Sequence, residues 1–273
     1  RNLGYPINSK ADEGALKVAS DGKTAFFSTD RLDLSTGGTK NLNIYSFILP
    51  EHARAKPISF VEGKVYDLRT GKELVATINI YDNLSGIQIK RIQSDKSGGF
   101  LIPLASGYNY NLSVEKEDYV FYSENFDLEE NDGDQQRFNL DVFLVPILKD
   151  TDSLLSSTPI VLKNVFFESG SDEINFEKSK LELDRLIDLL EKNGLIKILI
   201  QGHTDNVGSE EDNMALSINR AKAIYEFLSL KGIDSGRLEY KGFGETMPIA
   251  LNESEEGRRL NRRTEFLIQK SIK

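Results

Sequence analysis

The sequence predicts a multidomain chain, all-β in its N-terminal part and an α/β sandwich of βαβαββ order in its C-terminal part. Three observations carry this. Up to about residue 146 the apolar runs are short, alternate with polar residues, and stop at Gly, Asp and Asn turns. Residues 149–159 are polar and rich in small side chains, which marks a boundary. From residue 160 strand-like runs alternate with runs of helical spacing.

Residues 1–50 hold three strand-like runs, at 15–19, 24–28 and 43–49. Asp21-Gly22 between the first two is a hairpin signal, because its second residue tolerates positive φ. A polar loop through Gly37-Gly38 separates the second and third. Residues 50–57 form a charged connection between Pro50 and Pro57, and its His52 reads as a solvated linker residue.

Residues 58–147 predict a small β-sandwich. Runs at 60–66, 76–81, 87–92, 100–104, 107–114, 120–122 and 139–145 are separated by turns such as Asp67-Leu-Arg-Thr-Gly71 and Asp95-Lys-Ser-Gly-Gly99. The acidic stretch 127–134 does not fit a calcium loop. Its Gly is misplaced for a helix-flanked ligand loop, and its flanks are strands.

In the last segment a strand is expected over 160–167, then a tight turn at Ser169-Gly-Ser-Asp172. Asn175 is a good N-cap for a helix reaching Asn193, with Leu183, Leu186, Ile187 and Leu190 on one face. A strand over 197–201 follows. A second helix over 212–231 stops at Gly232, with Leu216, Arg220, Ala223 and Phe227 on its predicted core stripe. Strands over 238–241 and 263–269, with a helical turn near 255–260 between them, complete the order.

Composition narrows the function. The 273 residues carry net charge −9, which argues against a basic nucleic-acid surface. There is no Cys, hence no disulfide, thiolate metal site or Cys nucleophile; two His, His52 and His203, cannot make a multi-His centre. No cofactor or metal is expected. No apolar run reaches the length of a membrane span. The chain starts at Arg1 without Met, so a processed or trimmed piece is expected.

The constellation with chemical potential is Asp205 and Arg220. Asp205 follows a central strand, and Arg220 comes 15 residues later on the second helix. A guanidinium among core residues needs a partner. The residues alone leave two readings: a structural ion pair holding strand to helix, or a site for a zwitterion. In the second, Asp205 accepts from an ammonium and Arg220 grips a carboxylate in a two-pronged fork. His203 beside Asp205 lacks a metal set or a paired nucleophile and reads as structural. The arginines at 258, 259, 262 and 263 read as a solvated basic face or a clamp on anionic polymer.

Ordered motifs then match known families. Phe166-Phe-Glu-Ser-Gly170, Gly202-His-Thr-Asp-Asn-Val-Gly208, Asn213-Met-Ala-Leu-Ser-Ile-Asn-Arg-Ala221, Gly242-Phe-Gly-Glu245 and Asn261-Arg-Arg263 resemble the OmpA-like C-terminal domain over 160–273. That resemblance implies non-covalent, non-catalytic binding of peptidoglycan through the diaminopimelate of its stem peptide. It implies Asp205 for the ligand's ammonium and Arg220 for its carboxylate. Asn213, the backbone amides of Ser169 and Gly170, and Arg262 match further contacts. The segment Glu168-Ser-Gly170 departs from the family's usual Asp-Phe-Asp. Gly63-Lys-Val-Tyr-Asp67 with Thr70-Gly-Lys-Glu73, then Asp95-Lys-Ser-Gly-Gly-Phe100 and Leu104-Ala-Ser-Gly-Tyr-Asn-Tyr110, resemble the carboxypeptidase regulatory-like (transthyretin-like) module over 58–147. Residues 1–50 resemble one blade of a PD40 (WD40-like) propeller, on the motif from Ala19 to Arg31 and Asn43-Ile-Tyr45. Together these imply a periplasmic, outer-membrane-associated protein that tethers an assembly to the cell wall. The alternative is a scaffold lipoprotein of an envelope complex, for instance in secretion, whose β segments bind protein partners.

Overall fold

A computed structural model describes residues 14, 16–19, 22–30, 42–54, 58–128, 137–147, 158–168 and 170–269. The expected stretches around Gly37-Gly38, 129–134 and 149–157, and the side chain of His52, lie outside the described residues. The chain divides into two compact units. One is Arg1–Val61, Ile102–Tyr108 and Leu128–Phe138; the other is Glu62–Leu101, Asn109–Asp127 and Asn139–Lys273. No helix among the described residues is long and apolar enough to cross a membrane.

In the first unit β1 (Lys17–Val18), β2 (Thr24–Thr29) and β3 (Asn43–Ile48) form an antiparallel meander. Alternation along β2 decides its faces. Ala25 and Phe27 turn inward, where Tyr45 and Phe47 meet the Phe27 ring at 5.9 and 5.8 Å between centroids. The period of two sends Phe26, Ile44 and Ile48 to the outer face, where they stay exposed.

The next eight strands are β4 (Ile58–Asp67), β5 (Thr77–Asp82), β6 (Gln88–Gln93), β7 (Gly99–Ala105), β8 (Tyr108–Glu115), β9 (Tyr122–Leu128), β10 (Arg137–Asn139) and β11 (Val142–Leu144). They make two four-stranded sheets. One has the order β10-β4-β11 with β7 also on β4; the other is β6-β5-β8-β9. The strand expected over 139–145 is broken at Leu140-Asp141, where Asp141 Oδ1 instead accepts the Lys64 amide at 3.0 Å. The strand expected at 120–122 begins only at Tyr122, because Val120 and Phe121 leave the sheet for another core.

That other core belongs to a mixed sheet of order β12-β15-β13-β14, built from β12 (Ile160–Val161), β13 (Lys197–Gly202), β14 (Leu238–Gly242) and β15 (Thr264–Gln269). The helices are α1 (Phe176–Lys192), α2 (Glu210–Leu230) and the short α3 (Glu255–Asn261). The Asn175 side chain caps α1 by accepting the Lys178 amide at 3.1 Å. Leu183, Leu186 and Leu190 of α1 pack with Ile224 and Leu228 of α2 over Ile198 and Ile200 of β13, which lies between β14 and β15. Val120 and Phe121 join the same cluster.

Two expectations fail here. The strand predicted over 160–167 is only two residues long, since a turn follows in which the Val165 amide bonds back to the Leu162 carbonyl. The buried stripe of α2 is Asn213, Ser217, Ala221, Ile224 and Leu228, one position away from the predicted one. Glycines explain the offset. A Cβ on Gly202 would sit 2.1 Å from the Ser217 carbonyl oxygen, and one on Gly242 would sit 2.4 Å from the Ile218 amide. The helix backbone therefore lies directly on the sheet, and small Ser217 and Ala221 face inward where large apolar residues do not fit. Leu216, Arg220, Ala223 and Phe227 flank that stripe, half-buried.

Candidate functional site

The site forms where β13 ends. Its chain continues through His203 and Thr204, whose amides donate to the carbonyls of Arg263 and Gly244, each at 2.9 Å. These two bonds carry Asp205 just beyond the sheet, in front of the N-terminal turns of α2. Ser209 caps α2 by accepting the Asp212 amide at 3.1 Å. Asn213, in the first turn, donates its side-chain amide to the Asp205 carbonyl at 3.3 Å and to Glu245 Oε2 at 2.7 Å. It thus ties the Asp205 loop to the helix and to the loop after β14.

Asp205 is buried. Its Oδ1 accepts the Val207 amide at 3.0 Å, and its Oδ2 accepts Arg262 Nη1 at 2.6 Å. The direct Asp205–Arg220 ion pair, one of the two readings the residues left open, does not form. Arg262 takes that carboxylate, and its other prong, Nη2, donates to Glu255 Oε1 at 2.7 Å. Arg263 turns the other way, bonding Glu265 at 2.9 Å with only 6% of its side chain exposed. Arg262 and not Arg263 therefore faces the site.

Arg220 lies across from them. Its Nε donates to the Ser171 carbonyl at 3.0 Å, and its guanidinium carbon stands 5.1 Å from the Phe167 ring centroid. These contacts use one edge and one face of the group. Its Nη1 and Nη2 have no hydrogen-bond partner among the described residues. Burial and the nearby Arg262 charge pull the Arg220 pKa below its usual range, while Asp172 and Asp205 oppose that. Arg262 moves upward instead, chiefly through its bonds to Glu255 and Asp205. A second guanidinium thus stands near a buried carboxylate that Arg262 already holds, an arrangement suited to a ligand bearing a carboxylate of its own.

The remaining expected residues fall as follows. Gly170 sits at the tip of the turn that precedes α1, exposed and at φ 67°, next to the Ser171 that holds Arg220. Ser169 lies outside the described residues. His203 is buried, stacked on Phe243 at 5.3 Å between ring centroids, with Nε2 3.2 Å from Glu265 Oε1. Burial raises the Glu265 pKa, but the nearby His203 ring and the bond from Arg263 outweigh it and leave the carboxyl below its ordinary value. The four clustered arginines are each matched locally: Arg258 with Glu255, Arg259 with Glu256, Arg262 with Asp205, Arg263 with Glu265.

Sequence reasoning missed Glu255, Ser171 and Phe167. Glu255 was within reach, because seven residues separate it from Arg262 and two helical turns bring such positions to one face. Ser171 acts through its carbonyl and Phe167 through its ring position, and neither leaves a mark in the residue pattern.

Residues 166–262 match the OmpA family. The chain is 37% identical over 121 residues to Outer membrane protein A of Bordetella avium, covering 42% of this chain and 61% of that protein. It is 36% identical over 101 residues to the peptidoglycan-associated lipoprotein of Pseudomonas putida, covering 37% and 60%. Among solved structures, the peptidoglycan-associated lipoprotein from Burkholderia pseudomallei is 31% identical, covers 45% of this chain and 98% of its own, and superposes with a TM-score of 0.36. The chain spans 13%, 31% and 61% of the length of three of the curated relatives it matches.

Proposed function

We propose that this chain is a non-catalytic anchor whose OmpA family domain binds peptidoglycan, recognising the diaminopimelate of the stem peptide. The observation that carries this is Arg220: a half-buried guanidinium fixed by Ser171 and Phe167, with both terminal nitrogens unbonded among the described residues, beside the buried carboxylate of Asp205. Such a group is organised before its partner arrives, so little rotamer entropy is lost on gripping a carboxylate. Asp205 takes the ligand's ammonium. Asn213 holds the Asp205 loop in place, and the backbone amides of Ser169 and Gly170 are the further contacts that the family resemblance implies. The names of matched relatives, peptidoglycan-associated lipoprotein and peptidoglycan-binding protein ArfA, support the ligand class. On this reading the protein works in the periplasm, associated with the outer membrane. Its β segments, a blade-like 1–50 and a carboxypeptidase regulatory-like 58–147, serve as spacer or partner platform for the anchor at 160–273.

Sedimentation with purified diaminopimelate-type sacculi tests it. The wild-type chain is expected in the pellet, and Arg220→Gln and Asp205→Asn in the supernatant. Equal pelleting of all three removes the proposal.

A second reading, a scaffold that recruits envelope proteins, rests on the outer face of the three-stranded sheet, where Ile44 and Ile48 are 77% and 63% exposed. Under it, a doubly substituted Ile44→Lys, Ile48→Lys chain fails to capture an envelope protein that the wild type captures. Identical capture excludes that face.

A further inference from the structure

We infer that the exposed ring pair Phe176–Phe227, on the same flank of α2 as Arg220, is a second subsite: a shelf that stacks the sugar carrying the stem peptide. This deepens the diaminopimelate reading and rests on it.

The pair stands out because helix formation does not call for it. Phe176 is the first residue of α1, directly after the Asn175 cap, and 51% of its surface is exposed. An aromatic ring has no propensity advantage in a helix, and half of this one stays in water. Its ring meets that of half-buried Phe227 at 5.2 Å between centroids, tilted by 38°. Lys231 Nζ stands 5.4 Å from the Phe227 centroid, a donor beside the rings.

The position of the pair connects it to the site. The Phe167 ring and the Ser171 carbonyl meet Arg220, and five residues after Ser171 the Phe176 ring meets Phe227. The segment from Phe167 to Phe176 therefore runs beside α2 from Arg220 to Phe227. Arg220, Ala223 and Phe227 lie on one flank of that helix, spaced by 3 and 4 residues. Ala223 carries only a methyl, so the flank is low between a cationic end and an aromatic end. Seven residues of helix separate the two ends by about 10 Å. Two residues of extended chain reach about 7 Å, and the diaminopimelate side chain and the lactyl link of the stem add to that. A sugar whose stem is gripped at Arg220 thus reaches the rings.

The chemistry fits a sugar. One face of a pyranose presents a set of polarised C–H bonds, and the face of a phenyl ring is the negative side of its quadrupole. Phe has no hydroxyl or N–H of its own, so its contribution is this face contact, and Lys231 supplies the donor for a sugar oxygen. A ligand that ends at the peptide occupies only the Arg220 end.

Calorimetric titration of the full chain with the free stem tripeptide, and with the same tripeptide on its disaccharide, tests this. The wild type is expected to bind the sugar-bearing compound about three- to ten-fold more tightly, the range of one aromatic stacking contact. Phe176→Ala is expected to bind both compounds equally, at the wild-type affinity for the tripeptide. Equal binding of the two by the wild type overturns the inference alone. So does an undiminished sugar preference in Phe176→Ala, which makes the pair a clasp between α1 and α2 and nothing more. A wild-type chain that binds neither compound overturns this inference and the parent reading together. Should Phe176→Ala not fold, Phe176→Trp decides. It keeps an aromatic ring and places a single indole in a chain that has no Trp. Its emission is expected to shift on saturation with the disaccharide tripeptide and stay put with the tripeptide. Emission that responds alike to both overturns the shelf.

Discussion

Ser123 on β9 donates its hydroxyl to Glu182 Oε1 on α1 across 2.6 Å, and both side chains are buried. The same carboxylate lies 3.4 Å from Arg185 Nη1 and from the Asn164 amide, and Arg185 in turn donates to Asn111 Oδ1 of β8 at 2.9 Å. Strands of the β6-β5-β8-β9 sheet and helix α1 are therefore joined by a buried polar network beside a shared apolar cluster. Such a network is costly when one member is removed.

Glu182→Ala leaves Arg185 buried without its carboxylate. We expect a loss of about 3 kcal/mol in urea unfolding, the usual scale for breaking a buried pair from one side. Ser123→Ala removes one bond and is expected to cost about 1 kcal/mol. A double-mutant cycle measures their coupling.

Glu182 also gives the chain a pH signature. Burial raises its pKa above the ordinary 4.5, against the opposing effects of Ser123 and Arg185. A carboxyl raised in the fold holds its proton more tightly there than in the unfolded chain. Its contribution to stability is present below the unfolded value and is lost as pH rises through the folded one. Glu182→Gln lacks that loss, so its stability relative to wild type should increase as pH climbs from the ordinary carboxylate value. Urea unfolding of both proteins across that range checks it; a constant difference contradicts the raised pKa.

Gly202→Ala and Gly242→Ala should each push α2 off the sheet, because the added methyl would strike the helix backbone at Ser217 and Ile218. A loss of about 1–3 kcal/mol is expected. The functional effect should exceed that of an equally destabilising core change such as Leu186→Val, since the same shift carries Arg220 away from Asp205. Sacculus sedimentation under conditions where every variant is folded separates the two effects.

Arg237 donates from Nε to the Ile196 carbonyl and from Nη2 to the carbonyls of Leu190 and Asn193, at 2.8–2.9 Å. One side chain thus satisfies carbonyls at the end of α1 and in the turn into β13. Arg237→Ala should cost about 2 kcal/mol in thermal or urea unfolding and leave ligand affinity unchanged, as it is remote from Asp205 in the bond network.

How far the sequence revealed this follows from what each residue signals. The α1 cap at Asn175, the leucine face of that helix and the strand at 197–202 were all legible, because each rests on local propensity or periodicity. The α2 stripe was misread because close helix–sheet contact is built from Gly, Ser and Ala, which a search for large apolar residues passes over. The partner of Asp205 was misread for a related reason. Arg220 is near in sequence, whereas Arg262 arrives from 57 residues away through the β13–β15 pairing. Nothing local ranks the two. Nothing in the local pattern marks Glu182 and Arg185 as buried, since their partners Ser123 and Asn111 come from a different sheet.

The cluster that Val120 and Phe121 share with Leu183 and Ile198 has a mechanical consequence. If Arg220 is tethered to a taut polymer, the load enters α2, crosses the β13 sheet and reaches the Val120–Phe121 segment through packed side chains. Part of the tension would then be borne by the packing of that apolar cluster.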